Sequence, residues 1–172
     1  MQGIRSGEAF AIHGGPVHFV CYGRDGTIKW EEIVPKNLVV NAGLAKLLDV
    51  GLIGSTAVAS WYCALIGTGG TVASGDTMAS HAGWTELTNY ATAARGAFVF
   101  VRTDLVVSNS ASTLSYSIST AGSVMGAAVC SDATKGGSLG TLLCGVAFTA
   151  GDKATSDGDT LTITYALSAA DA

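Results

Sequence analysis

Short runs of alternating apolar and polar residues, separated by turn signals, limit most strongly how this chain can fold. In "TLSYSIS", Leu114, Tyr116 and Ile118 alternate with serines, which is the pattern of a strand with one buried face. The segment "DTLTITYAL", residues 159–167, repeats the pattern with threonines. Because such runs recur between Asp-Gly, Asn-Ser and Gly-Gly signals, the sequence predicts a mainly β protein. The expected architecture is an antiparallel β-sandwich or a Greek-key or jelly-roll-like barrel.

One helix interrupts this β pattern. Four leucines at helical spacing predict a short helix near residues 41–52, and we expect their stripe to lie in the core. These leucines are Leu44, Leu47, Leu48 and Leu52. Asn41 can cap the start of the helix, and Gly51 or Gly54 can end it. A hairpin is predicted before the helix, around the turn "GRDG" at residues 23–26.

The length of 172 residues suits one domain. Residues 1–15 show no clear period and are predicted to form an N-terminal arm, and residues 16–172 a single β-sandwich domain. In an assembly, Ile4, Phe10 and Ile12 of the arm are expected to become ordered against a neighbouring chain.

The glycine-rich stretch from Gly67 to Glu86 follows a strand-like run and invites a phosphate-loop interpretation. No lysine follows the glycines and no helical period comes next, so the stretch does not fit the phosphate-binding motifs. It is predicted to be an ordered loop in which Asp76 fixes a turn. We expect Trp84 to pin the loop to its own domain. Met78 either does the same or contacts a partner, and it joins the candidate partner contacts.

Catalytic and metal-binding patterns are equally weak. The motif "GGSLG" places Ser138 in a nucleophile position, but a strand follows where that motif needs a helix, and all three histidines lie upstream. Histidine and cysteine spacings that typically bind zinc do not occur. The sequence therefore predicts no enzyme, no catalytic residue, no cofactor and no metal.

Charge and hydropathy restrict the partners. Nine Lys and Arg residues are scattered among thirteen acidic ones, giving a net charge of −4, so no nucleic-acid partner is expected. No apolar run is long enough to predict a membrane span. The four cysteines lie far apart in strand-like runs and are predicted to be buried free thiols. Only 13% of the residues are charged, which favours a surface rich in uncharged residues or covered by partner chains.

Several segments resemble a family of small virion proteins of tailed bacteriophages. The most specific are "NLVVNAGLAKLLD", "GDTMASHAGWTE" and "TKGGSLGTL", and the resemblance extends from Val17 to Leu167. It implies a structural protein of the virion, assembled in the host bacterial cytoplasm, with no catalytic residues. It further implies that the partners are the major capsid protein or other virion proteins, and that the chain forms a homo-oligomer.

Three functions remain open on the sequence. A capsid decoration, or cement, protein that stabilises the head shell comes first, and a tail component such as a fibre, collar or adaptor comes second. The third is a glycan-binding β-sandwich module, which would need an aromatic platform from Trp30, Trp61 and Trp84.

Overall fold

The structure, a computed structural model, describes residues 10–171. Fourteen strands and one helix follow in chain order: β1 Phe10–Tyr22, β2 Ile28–Val34, β3 Leu38–Val39, α1 Asn41–Leu52, β4 Tyr62–Thr68, β5 Thr85–Leu87, β6 Gly96–Ala97, β7 Val101–Thr103, β8 Val106–Ser108, β9 Leu114–Ser117, β10 Gly122–Val124, β11 Gly126–Cys130, β12 Leu142–Ala147, β13 Lys153–Thr155 and β14 Thr160–Asp171. Strands account for 47% of the chain and helix for 8%, which confirms the prediction of a mainly β protein.

Two antiparallel sheets form the layers of the sandwich. The first sheet has the order β2-β1-β14-β8-β7, with β9 also paired to β14, and the second has the order β3-β12-β11-β4-β5, with β6 paired to β4. A separate ribbon joins β10 to β13. Over the described residues 10–171 neither sheet closes into a barrel, so the sandwich alternative is the one adopted.

The core lies between the two sheets. Inward-facing side chains of the first sheet include Phe19, Ile163 and Tyr165, and those of the second include Leu65 and Val129, all fully buried in one apolar cluster. Alternation along β9 and β14 predicted this arrangement, because their apolar positions face inward while serines and threonines face out.

The first strand begins earlier than the sequence indicates. Residues from Phe10 onward pair with β14, with Phe10 opposite Asp171 and a register shift between Gly14 and Val17, where Pro16 lies. The prediction of an arm over residues 1–15 is therefore wrong for residues 10–15, which belong to β1. The register shift interrupts the apolar alternation of these residues, which is why the sequence showed no clear strand period. β14 is long enough to pair with β1 on both sides of the shift. Ile4 lies outside the described residues.

The helix occupies the predicted residues, but its caps are only partly as expected. Asn41 is already helical, the capping position is Val40, and no side chain caps the start, so the predicted role of Asn41 is wrong. Asn41 instead donates its backbone N–H to the carbonyl of Ser74 at 2.8 Å. Gly54, at φ +72°, follows the last turn, which confirms one of the two predicted ends.

Half of the predicted apolar stripe of α1 faces solvent. Leu44 and Leu47 pack against the core, whereas Leu48 and Leu52 are exposed. The helix touches β12 most closely at Gly43, where a Cβ would collide with the backbone carbonyl of Leu143. The closest contact between α1 and β12 is therefore in the first turn of the helix. No element among residues 10–171 covers Leu48 and Leu52 at its other end.

The glycine-rich loop is pinned from inside by two side chains. Asp76 accepts hydrogen bonds from the Ala73 backbone N–H at 2.9 Å and from the Trp84 indole N–H at 3.1 Å. Trp84 is buried, as predicted, and the ring of His81 stacks on it at 3.8 Å. Met78 is only 1% exposed and packs in the same cluster. Met78 as a partner contact is therefore wrong, because its side chain is enclosed by its own domain.

All four cysteines are free and buried, as predicted. Burial, aided by the nearby carboxylate of Asp159, raises the pKa of Cys21 to about 11, and burial raises that of Cys144 to about 12. Because the thiolate is the reactive form, these thiols are poor nucleophiles at neutral pH.

A buried arginine joins three separate loops and strands. The guanidinium of Arg95 is fully enclosed and donates two hydrogen bonds to the carboxylate of Glu86, at 3.0 and 2.7 Å. It also donates to the carbonyls of Asp132 at 2.9 Å and Gly137 at 2.6 Å. Glu86 in turn accepts the Gly136 backbone N–H at 3.0 Å. The segment containing "GGSLG" is thus held to β5 by a satisfied ion pair.

Replacing this arginine tests its role. We expect Arg95→Ala to lower the free energy of unfolding by about 3–5 kcal/mol, because it leaves the Glu86 carboxylate buried without a counter-charge. The control is Arg24→Ala, which breaks the exposed pair between Arg24 and Asp157 and should cost less than about 1 kcal/mol. Denaturant unfolding measures both variants, and equal costs would contradict the assignment.

Candidate functional site

An apolar groove opens where the two sheets part beside α1. It encloses about 360 Å³. Its lining consists of Ile12, Leu47, Trp61, Phe100, Leu105, Val107, Leu143, Leu167, Ser168 and Ala169. Ser168 is the one polar residue of this set, and none of the ten is charged. We call this feature the apolar groove.

The chain reaches the groove by crossing from the second sheet to the first. The Phe98 backbone N–H donates to the carbonyl of Trp61 at 2.8 Å, which holds the crossing segment to the second sheet. The rings of Phe98 and Phe100 stack at 4.9 Å. Phe98 is buried in the core and Phe100 lines the groove. One short extended segment thereby connects the core to the groove wall.

The turn between β7 and β8 forms the outer rim. Asp104 adopts φ +50°, in the left-handed region that Asp tolerates better than most residues. The carbonyl of Leu105 accepts the Ala169 backbone N–H at 2.9 Å, so the turn is tied to β14. The Leu105 side chain is nevertheless 65% exposed. A large apolar side chain is thus held at the groove mouth by a fixed backbone.

Further exposed apolar side chains lie on the elements that line the groove. On α1 and its end these are Leu48, Leu52 and Ile53, and around β7 and β8 they are Val99, Val101 and Val106. Single exposed apolar residues are ordinary, but a concentration around a groove is typical of an interaction surface.

Charged groups near the rim are held by backbone atoms. Arg102 donates to the carbonyl of Asp104 at 2.7 Å, and Lys46 donates to the carbonyl of Thr56 at 3.0 Å. The groove itself therefore offers apolar surface and shape, with Ser168 as the one polar residue of its lining. Its chemistry suits the burial of apolar side chains of a partner.

The candidate contacts predicted from sequence fall in different places. Ile12 lines the groove, while Phe10 begins β1 opposite Asp171. Met78 lies in the buried cluster under the glycine-rich loop, and Ile4 is outside the described residues. Sequence analysis missed Phe100 and Leu105. Their signal was the run "FVFVRTDLVV", which is apolar in both strand phases except at residues 102–104, as expected of a strand covered on both faces.

The tryptophans do not form an exposed glycan platform. Trp84 is 2% exposed. Trp30 donates its indole N–H to the carbonyl of Ala154 at 2.8 Å and packs edge-on against Phe148. Trp61 lines the apolar groove. The three tryptophan side chains therefore lie in three different environments and do not form one shared surface.

Residues 10–171 contain no group of three or more His, Cys, Asp or Glu side chains arranged to hold a metal ion. Nor does this part of the chain include a helix with the length and hydropathy needed to cross a membrane.

No family model matches the chain, and no curated protein matches it. The groove and its surroundings are therefore the features from which we infer function.

An environment-sensitive apolar dye tests whether the groove is accessible. We expect Leu105→Ser to weaken dye binding severalfold without changing the unfolding midpoint, since the side chain is at the mouth. Leu139→Ser is the control, because Leu139 is similarly exposed, at 72%, and does not line the groove. Fluorescence titration measures both. Equal dye binding by the two variants would show that the groove is not the binding place.

Proposed function

We propose that this chain is a structural protein of a tailed-bacteriophage virion, and that it decorates and stabilises the head shell. The observation that carries the proposal is the apolar groove with its exposed apolar rim. Such a surface favours contact with another protein, and the resemblance to small phage virion proteins suggests which one. The partner would be the major capsid protein, and the site of action the virion.

Burial of apolar side chains would supply the binding energy. Enclosing one leucine or phenylalanine side chain contributes about 1.5–3 kcal/mol, so a groove that accepts a few side chains gives modest affinity. A shell presents many equivalent sites, and linked copies gain avidity where their geometry lets them engage together. Because the ten lining residues carry no charge, salt should weaken binding only slightly.

Stabilisation of the shell would follow from mass action. A protein that binds only the assembled shell shifts the equilibrium toward that state, by about 4 kcal/mol when its free concentration is a thousandfold above its dissociation constant. No chemical step is required of the bound protein. This fits a groove whose walls are almost wholly apolar.

A tail component is the second proposal, since the same groove suits a tail subunit as well as a shell subunit. The two differ in where the copies sit and how many there are. A glycan-binding module is disfavoured, because Trp84 is buried and Trp61 faces an apolar groove rather than an exposed platform.

Binding to undecorated heads tests the proposal. We expect the protein to bind purified heads and to raise the temperature at which they rupture. Leu105→Asp should reduce the affinity at least tenfold, because binding would bury its new charge in an apolar contact. Leu139→Asp, at a similarly exposed position that does not line the groove, should bind normally.

Co-sedimentation and a thermal rupture assay provide the two readouts. If the protein ignores heads and binds purified tails, the decoration role is replaced by the tail role. If Leu139→Asp and Leu105→Asp weaken head binding equally, the groove is not the contact.

A further inference from the structure

The edge of the first sheet at β7 is open among the described residues. β7 pairs with β8 on one side, and residues 10–171 supply no strand for the other side. The two-residue turn at Asp104 and Leu105 is closed by the pair Thr103 and Val106. Since backbone groups alternate in direction along an antiparallel strand, Thr103 points toward β8. Arg102 therefore presents its N–H and C=O groups outward at the free edge, and the same alternation, carried two residues back to just before β7, gives Phe100 that direction.

This edge has apolar side chains on both faces. Phe100 and Val107 lie on the groove side. Val101 and Val106 lie on the opposite side and are exposed, Val101 by 50%. The other edge strand of the same sheet, β2, instead carries Lys29, Glu31 and Glu32, and charges of this kind discourage strand pairing. The β7 edge thus combines free backbone groups with apolar cover, whereas the β2 edge mixes its exposed Ile28 and Ile33 with these charges.

We infer that β7 pairs antiparallel with β7 of a second copy of this chain, about a two-fold axis. The outward backbone groups fix the register, because Arg102 and Phe100 must exchange hydrogen bonds with Phe100 and Arg102 of the second copy. Val101 then lies opposite Val101 of the second copy, and Val99 opposite Thr103. This register is self-complementary, as a two-fold interface requires.

Charge favours a second copy as the occupant. The hairpin carries one cation, Arg102, and one anion, Asp104, so two hairpins meet without net repulsion although each chain has a charge of −4. In the inferred register each Arg102 lies across from the ring of Phe100 in the second copy, a cation–π arrangement. No like charges are directly opposed across the joined strands.

The pairing has a consequence for the apolar groove. A two-fold axis perpendicular to the joined sheet leaves both groove faces on the same side. The dimer thus presents two grooves together, which suits a surface of repeated subunits. The dimer itself does not depend on the virion role, and its test involves no phage particles.

Cysteine substitution tests the register directly. Cα atoms of a non-hydrogen-bonded antiparallel pair lie about 4.5 Å apart, within the range of a disulfide. We expect Val101→Cys to form an intermolecular disulfide under mild oxidation. Thr103→Cys alone should not, because the two copies of Thr103 would be about 13 Å apart at the rise of a β-strand. A mixture of Val99→Cys and Thr103→Cys proteins should cross-link to each other. The native thiols are buried and contribute little background.

A backbone substitution tests the hydrogen bonds. Arg102→Pro removes an outward N–H and should yield a monomer with an intact fold by circular dichroism. Arg102→Ala keeps that N–H and should remain dimeric, with a dimer dissociation constant at most several-fold higher than that of the wild type. Sedimentation equilibrium gives the masses. A wild-type monomer at all concentrations would overturn the inference. So would a dimer that persists in Arg102→Pro, or cross-linking of Thr103→Cys as efficient as that of Val101→Cys.

Discussion

One buried hydroxyl fixes how the two sheets face each other. Tyr116, on β9 of the first sheet, donates to the carbonyl of Cys63 at 2.7 Å and accepts the Gly96 backbone N–H at 2.9 Å, both on the second sheet. Sliding the sheets past each other would leave this hydroxyl unpaired at a cost of about 1–3 kcal/mol, so the two bonds favour the observed registration. Arg95, next to Gly96, is held by Glu86 and adjoining carbonyls. Together these contacts set where the chain leaves the second sheet, and hence where Phe100 and the β7–β8 hairpin arrive.

The groove follows from that position. The hairpin and β14 extend past the point that α1 covers, because the helix packs closely only near Gly43. Leu47 of the helix and Phe100 before β7 both line the groove that remains. A single short helix is too small to cover this end of the sandwich. Leu52 at the end of the helix and Leu105 in the β7–β8 turn are left exposed at this end of the sandwich. These exposed side chains give the domain an apolar surface that a partner could cover.

The sequence predicted the β class, the helix bounds and the burial of Trp84, because alternation, leucine spacing and turn residues are local signals. It did not predict that Met78 would be buried or that Leu48 and Leu52 would be exposed. Those outcomes depend on which face of a loop or helix meets another element, and that is decided by contacts far apart in the chain. The groove combines residues from Ile12 to Ala169, so no local pattern could reveal it. The run from Phe98 to Val107 was the one partial signal, since a strand apolar on both faces needs cover on both.

In the proposed role, another protein of the virion covers the groove face. Imaging tailed-phage particles assembled in the presence of this protein tests this role most directly, by locating any bound copies and their orientation. If the protein decorates the head, its copies should lie over the head shell. Phe100 and Leu105 of each copy should then contact a shell subunit. Copies found on the head with the groove open to solvent, or absent from the particle altogether, would contradict it.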